Sequence, residues 1–170
     1  EMGYIKITVE YPVLSNEELS DSLQKRYGLK KVFLVPKLSS TSVAVQEDVC
    51  RAAAKDLSSY LRDGSIIGTA WGRTMKSFAN YISDLGVKNV KVVQLNGKTN
   101  LTSVPVGADD LSQAIARAGC GEAYVIPAPV AVDSAEIADM LKQERNISAA
   151  LTLGRDCQIA LFGIGNLSRN

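Results

Sequence analysis

The chain contains no histidine. That removes the commonest general base, the usual metal ligand and every Ser-His or Cys-His nucleophile pair. Acid–base work by carboxylates or lysine stays open, but the balance tilts from enzyme toward binding module. Cysteine is scarce: Cys50, Cys120 and Cys157 are odd in number, far apart and form no C-x-x-C. Such spacing favours reduced thiols over a disulfide or zinc framework, with burial as small hydrophobes the ordinary role. No Lys/Arg-rich run stands out and the net charge is +1, so the electrostatic footprint of a nucleic-acid-binding surface is missing. No apolar run approaches the length of a membrane span, and the opening residues show no signal-peptide pattern. A cytoplasmic protein without a membrane partner is expected, and the N-x-S/T sequons at Asn100, Asn146 and Asn166 read as chance matches.

What is present suits a folded α/β domain. The 170 residues are 46% hydrophobic and 22% charged, enough for a sizeable core and too apolar for disorder. Tyr4, Ile5, Ile7 and Val9 interleave with Lys6, Thr8 and Glu10 as a strand would. This pattern starts without a methionine, which suggests an upstream segment. Ser15-Asn16-Glu17-Glu18 resembles a capping box, Leu19 and Leu23 lie one turn apart, and Gly28 is a natural helix stop. Residues 1–30 therefore read as an arm and helix leading into a main domain at 31–170.

From Lys31 strands and helices alternate. Val32-Phe33-Leu34-Val35, Ser65 to Ala70, Val90 to Leu95, Ala123 to Ile126 and Gln158 to Phe162 read as buried strands. Between them lie helical stripes: Val45 to Leu61, Met75 to Leu85 with a stop at Gly86, and Leu111 to Ala118 with a stop at Gly119. A fourth opens at Asp133 with Glu136 in a capping-box pattern and runs through Ile137, Met140 and Leu141. A short fifth covers Ile147 to Leu153 and ends at Gly154. The expected fold is a doubly wound, mostly parallel sheet of about five strands with helices on both faces, of the Rossmann type. Ligands of such sheets bind at the C-terminal strand edge, near a switch in strand order.

The sequence is organised around Ser65 to Lys76, S-I-I-G-T-A-W-G-R-T-M-K. A strand, a glycine-spaced turn and a helix start make an anion site, with Thr69 and Thr74 as hydroxyl donors and Arg73 as a phosphate fork. The alternative is a tight strand-to-helix turn that binds nothing. Trp71 is a core or interface anchor, or else a stacking platform. Asn96-Gly97 supplies a positive-φ turn, or else lines a ligand. Gly163-Ile164-Gly165 partly matches a dinucleotide fingerprint, but it follows the last strand and no acidic ribose partner comes after it, so no nucleotide cofactor is expected. Asp109-Asp110 reads first as a helix-dipole pair, or else as a paired-carboxylate site, and Lys37 and Lys98 read first as solvated lysines, or else as lysines that face a ligand or form a Schiff base.

These pieces stand in one order: Glu18-Leu19 to Tyr27-Gly28-Leu29, Val35-Pro36, Gly68-Thr69-Ala70-Trp71-Gly72-Arg73-Thr74, Val93-Gln94-Leu95-Asn96-Gly97, Pro127-Ala128-Pro129 and Gly163-Ile164-Gly165. Together they resemble the sugar-binding effector domain of SorC-type bacterial transcriptional regulators, over nearly the whole chain. That group includes regulators of glycolytic genes, of deoxynucleoside catabolism and of the phosphorylated autoinducer-2 response. The resemblance implies an isomerase/deaminase-like fold that senses a phosphorylated sugar without catalysis. It also implies a separate helix-turn-helix domain that binds operator DNA, and a homo-oligomer. By the same resemblance Gly68, Thr69, Ala70, Gly72, Arg73 and Thr74 hold the phosphate, while Asn96, Gly97, Gly163 and Gly165 line the sugar side. A sugar-phosphate isomerase of similar fold is the alternative function. The sequence departs from the family at Lys98, where a second glycine is usual, and the family domain normally continues past the last residue here.

Overall fold

The computed structural model of the chain describes residues 17–37, 41–98 and 108–165. The alternating segment at Tyr4 to Val9, the residues Ser15-Asn16 and the sequons at Asn100 and Asn166 lie outside them. Two compact units divide the chain, Glu1–Val45 and Gln46–Asn170, whereas the sequence reading set the boundary after residue 30.

In the first unit, helix α1 (Glu17–Tyr27) has acids in its first turn and Lys25 and Arg26 in its last, matching the helix dipole. It stops as expected: Gly28 takes φ 63° and the Leu29 N–H donates to the Gln24 carbonyl at 3.0 Å, a glycine-terminated helix end. The run Val32 to Val35 is not a strand. It joins no ladder; the Val32 carbonyl accepts instead from Ser20 Oγ at 3.1 Å, and Phe33 is 51% exposed. A short apolar run ended by proline looks alike whether it is paired or merely tied to a helix by a side chain.

Helix α2 (Ser42–Leu57) opens with Thr41 Oγ1 accepting from the Ala44 N–H at 3.3 Å, and a 3-10 turn, Ser58–Tyr60, follows it. The second unit then builds strand β1 (Ile66–Thr69), helix α3 (Arg73–Ala79), β2 (Lys91–Gln94), α4 (Ala108–Ala118), β3 (Glu122–Tyr124), α5 (Ala135–Gln143), α6 (Arg145–Arg155) and β4 (Ile159–Leu161). The sheet is four-stranded and parallel, in the order β3-β2-β1-β4. The α/β, doubly wound expectation holds with one strand fewer. Strand order reverses between β1 and β4, which sets the topological switch there.

Two apolar layers sandwich the sheet. On one face Ile67 and Val92 pack with Cys50 and Leu57 of α2, Met75 and Phe78 of α3 and Leu111 and Ile115 of α4. On the other, Val93 packs with Ile126, Ala128 and the α6 residues Ile147 and Ala150. Strand period two explains the split, since Ile67 and Val92 point opposite to Ile66 and Val93. Ile67, Val90, Val92, Val93 and Ile115 are 0% exposed, and each contributes about 1.5–3 kcal/mol of burial.

Three helices differ from the sequence reading at their ends. Helix α3 stops at Ala79 rather than near Leu85, because Asn80, Tyr81 and Ile82 tighten into i→i−3 turns; Ile82 and Leu85 still reach the core. Helix α5 is capped by Ser134, not Asp133: Ser134 Oγ accepts from the Ile137 N–H. Helix α6 starts two residues earlier than expected, with the Glu144 carboxylate accepting from the Asn146 and Ile147 N–H groups, and it runs through Gly154 to Arg155.

Candidate functional site

Four loops leave the C-terminal edge of the sheet, one after each strand, and they are tied to one another. The Ala70 N–H donates to the Leu161 carbonyl at 2.9 Å, joining the turns after β1 and β4. Trp71 Nε1 donates to the Gly97 carbonyl at 3.0 Å, joining those after β1 and β2. Lys98 bridges Pro129 in parallel, with the Lys98 N–H donating to Ala128 and the Val130 N–H donating to Lys98, both at 2.8 Å. The expected site residues thus converge on one rim, yet they play three different parts.

The first part is internal. Thr69 is 1% exposed, and its Oγ1 lies 2.9 Å from Ser112 Oγ of α4. Its hydroxyl therefore serves the sheet–helix contact and does not face the rim, which corrects its expected role as a phosphate donor. Gly68 is buried beneath Leu95; a Cβ there would sit 2.7 Å from Leu95 Cδ1. Gly68 admits a neighbouring side chain rather than a ligand, and the N–H of Ala70 is spent on Leu161.

The second part is spacing. Gly97 needs no positive φ, and neither does Asn96. A Cβ on Gly97 would stand 2.5 Å from the carbonyl oxygens of both Ala128 and Pro129. It is a close-approach glycine, which makes the β2 and β3 loops a continuous floor. The expected Asn-Gly turn is corrected accordingly. Trp71 is half-buried and works as an anchor through its indole N–H.

The third part is open. Gly72 precedes α3 in extended backbone, with nothing within 4 Å of where a Cβ would stand, and Gly165 likewise borders open space. Arg73 and Thr74 are exposed on the first turn of α3, and among the described residues Arg73 makes no ion pair. Gly163 passes against Thr74, its Cβ position 3.4 Å from Thr74 Cβ. The switch point therefore presents a guanidinium, a hydroxyl and two unencumbered glycines to solvent. Because α3 has only seven residues, its dipole is short, and Arg73 carries most of the positive charge here.

Two features were not assigned from sequence. Ser112 is the buried partner of Thr69; nothing in an amphipathic helix stripe marks one serine as inward. Gln94, the last residue of β2, is 1% exposed, and neither its Oε1 nor its Nε2 has a hydrogen-bond partner; Asn96 Oδ1 is also buried and unpartnered. A glutamine closing the run Val92-Val93-Gln94 was the available signal. Asp109 and Asp110 fall in the first turn of α4. Among the described residues no group of three or more His, Cys, Asp or Glu could hold a metal ion, and no helix is long and apolar enough to cross a membrane.

Comparison with known proteins bears on the family and the fold. Residues 11–170 match the family model described as "Putative sugar-binding domain". The deoxyribonucleoside regulator of Bacillus subtilis is 30% identical over 167 residues, covering 98% of this chain and 53% of that protein. The full-length sorbitol operon regulator SorC of Klebsiella pneumoniae shares the fold at a TM-score of 0.81 and 18% identity, covering 92% of this chain and 51% of that one. The Shigella flexneri "Probable sor Operon Regulator" does so at 0.82 and 22% identity, covering 91% and 67%. The chain spans about half the length of the curated relatives it matches. With a family match over nearly its whole length, the chain belongs to the family described as "Putative sugar-binding domain".

Proposed function

We propose that this chain is the effector-sensing part of a sugar-responsive transcriptional regulator. It binds a phosphorylated sugar at the C-terminal sheet edge, and binding shifts the operator affinity of a DNA-binding domain elsewhere in an oligomer. The observation that carries the proposal is the switch between β1 and β4, where exposed Arg73 and Thr74 follow Gly72 and Thr74 meets Gly163, with Gly165 two residues further along the chain. Arg73 is the natural phosphate ligand, since a guanidinium matches a phosphate with two parallel hydrogen bonds. Asn96 and Gly97 line the neighbouring sugar side. The relatives support the class of effector, one being named a deoxyribonucleoside regulator and another an erythritol catabolism regulatory protein from Brucella abortus. Any switching requires that the ligand bind the two states of the regulator unequally.

The test is a thermal-shift panel of ribose, glucosamine and fructose phosphates, run on wild type and Arg73→Ala. A ligand that raises the wild-type midpoint and leaves the variant unmoved supports the reading. Equal shifts in both would remove Arg73 from the site. Turnover of any of these compounds would favour the isomerase alternative, in which a carboxylate acts as base.

A further inference from the structure

Resting on that reading of the site, we infer that Gln94 reads hydroxyl groups of the effector, so that the ligand brings a polyhydroxylated end as well as a phosphate. Gln94 pairs in register with Thr69 across β2 and β1. Partners in parallel register point to the same face, and Thr69 reaches Ser112 of α4, so the Gln94 carboxamide lies on the α4 side of the sheet. It is sealed from bulk water at 1% exposure, yet both its polar atoms lack partners.

This is unlike the other buried polar side chains of the domain. Thr69 and Ser112 bond each other, and Ser65 Oγ accepts from the Arg62 N–H at 2.9 Å. Among the described residues the unpartnered buried side-chain atoms are Gln94 Oε1, Gln94 Nε2 and Asn96 Oδ1. They are gathered at the end of one strand, on the rim already assigned. A buried amide left without partners is destabilising, a cost that a fitting ligand relieves.

Their chemistry selects the occupant. Two of the three atoms are carbonyl oxygens, which accept only. A phosphate dianion brings acceptors of its own and would be repelled there. A hydroxyl both donates and accepts, so neighbouring hydroxyls of a sugar satisfy Oε1, Oδ1 and the Nε2 hydrogens together. The phosphate then stays at Arg73, and the site has two chemically distinct ends.

The experiment uses the protein at its natural full length, with Gln94→Met, which keeps the length of the side chain and removes its hydrogen bonding. Unliganded midpoints are read first. Calorimetric affinities follow for inorganic phosphate and for the sugar phosphates that bind wild type. The expected result is a raised unliganded midpoint, at least about tenfold weaker binding of the sugar phosphate, and unchanged affinity for inorganic phosphate. Arg73→Ala should instead lose inorganic phosphate. Sugar-phosphate affinity equal to wild type in Gln94→Met, or a lowered midpoint, would overturn the inference. If Arg73→Ala loses binding while Gln94→Met keeps it, this inference fails alone. If no sugar phosphate binds wild type, the effector reading fails with it.

Discussion

The two edges of the sheet are built on opposite principles. At the N-terminal edge, the Gly64 N–H donates to the Lys88 carbonyl, the Lys88 N–H to Asp63 Oδ1, the Asn89 N–H to the Cys120 carbonyl and the Leu85 N–H to the Ala118 carbonyl, all between 2.8 and 3.2 Å. Positive φ at Gly64, Gly86, Asn89 and Cys120 lets these turns close. At the C-terminal edge, polar atoms are buried without partners, two glycines border open space, and Arg73 and Thr74 face solvent. One edge completes its hydrogen bonds internally; the other ties its loops together yet, among the described residues, keeps three buried side-chain atoms unpartnered. On the function proposed above, stability and recognition are separated along the strand direction, as they are in other α/β folds.

The sharpest way to break this contrast is to add one methyl at each edge. A Cβ on Gly121 would lie 1.9 Å from the Val90 carbonyl oxygen, with the Val90 nitrogen at 2.7 Å. Backbone cannot yield as a side-chain tip can, so Gly121→Ala should cost about 3 kcal/mol in urea unfolding. Gly72→Ala, in open extended backbone, should stay within about 0.5 kcal/mol of wild type. Comparable losses at both would mean that the C-terminal edge is as tightly built as the other.

A smaller effect separates the two threonines. Thr69→Val leaves the Ser112 hydroxyl buried without its partner and should cost about 1–2 kcal/mol. Thr74→Val should barely alter the unfolding midpoint but reduce the thermal shift given by a bound sugar phosphate. If Thr74→Val destabilised the fold more than Thr69→Val, the division between interior and rim would be drawn wrongly.

Smaller still is the acid response of α5, which starts beyond the β3 loop. The Glu136 carboxyl is held below its usual range by its own backbone amide and by the Ser134 hydroxyl. A lowered folded-state value means that the contribution is present above the unfolded carboxylate pKa and is lost as pH falls through the folded one. Glu136 is exposed, so the expected sign is a smaller exchange protection factor at Ile137 in acid, taken relative to the intrinsic rate at each pH, with no change in the global midpoint. Ser134→Ala should produce the same local fraying at neutral pH, at about 1 kcal/mol. Thiol labelling gives the least perturbing check. Exposed Cys120 should react first, and Cys50 last, since burial and then Glu47 push its thiol pKa up.

Much of the scaffold was readable from pattern. Apolar runs bounded by glycine and proline located β1 to β4, and the stripes located the helices between them. The miss at Val32 to Val35 follows from what periodicity reports, which is burial preference and not pairing. Helix ends were misjudged where capping outweighed glycine: Ser134 instead of Asp133, and Gly154 retained inside α6. The rim as a place was legible, because strand ends carry punctuation. The roles within it were not. Thr69 and Thr74 look equivalent as letters, but the strand pleat turns one toward Ser112 while the outer face of α3 carries the other. Gln94 was passed over because an unpaired carboxamide is a property of its surroundings.

The crowding of Leu95 onto Gly68 has a consequence for how relatives of this chain can diverge. With Leu95 Cγ 2.9 Å from the place a methyl would occupy on Gly68, and its Cδ2 3.4 Å from the corresponding place on Gly154, substitutions there are not independent. Enlarging position 68 obliges the Leu95 side chain, 37% exposed, either to swing outward or to become smaller, so positions 68 and 95 are coupled in any divergence.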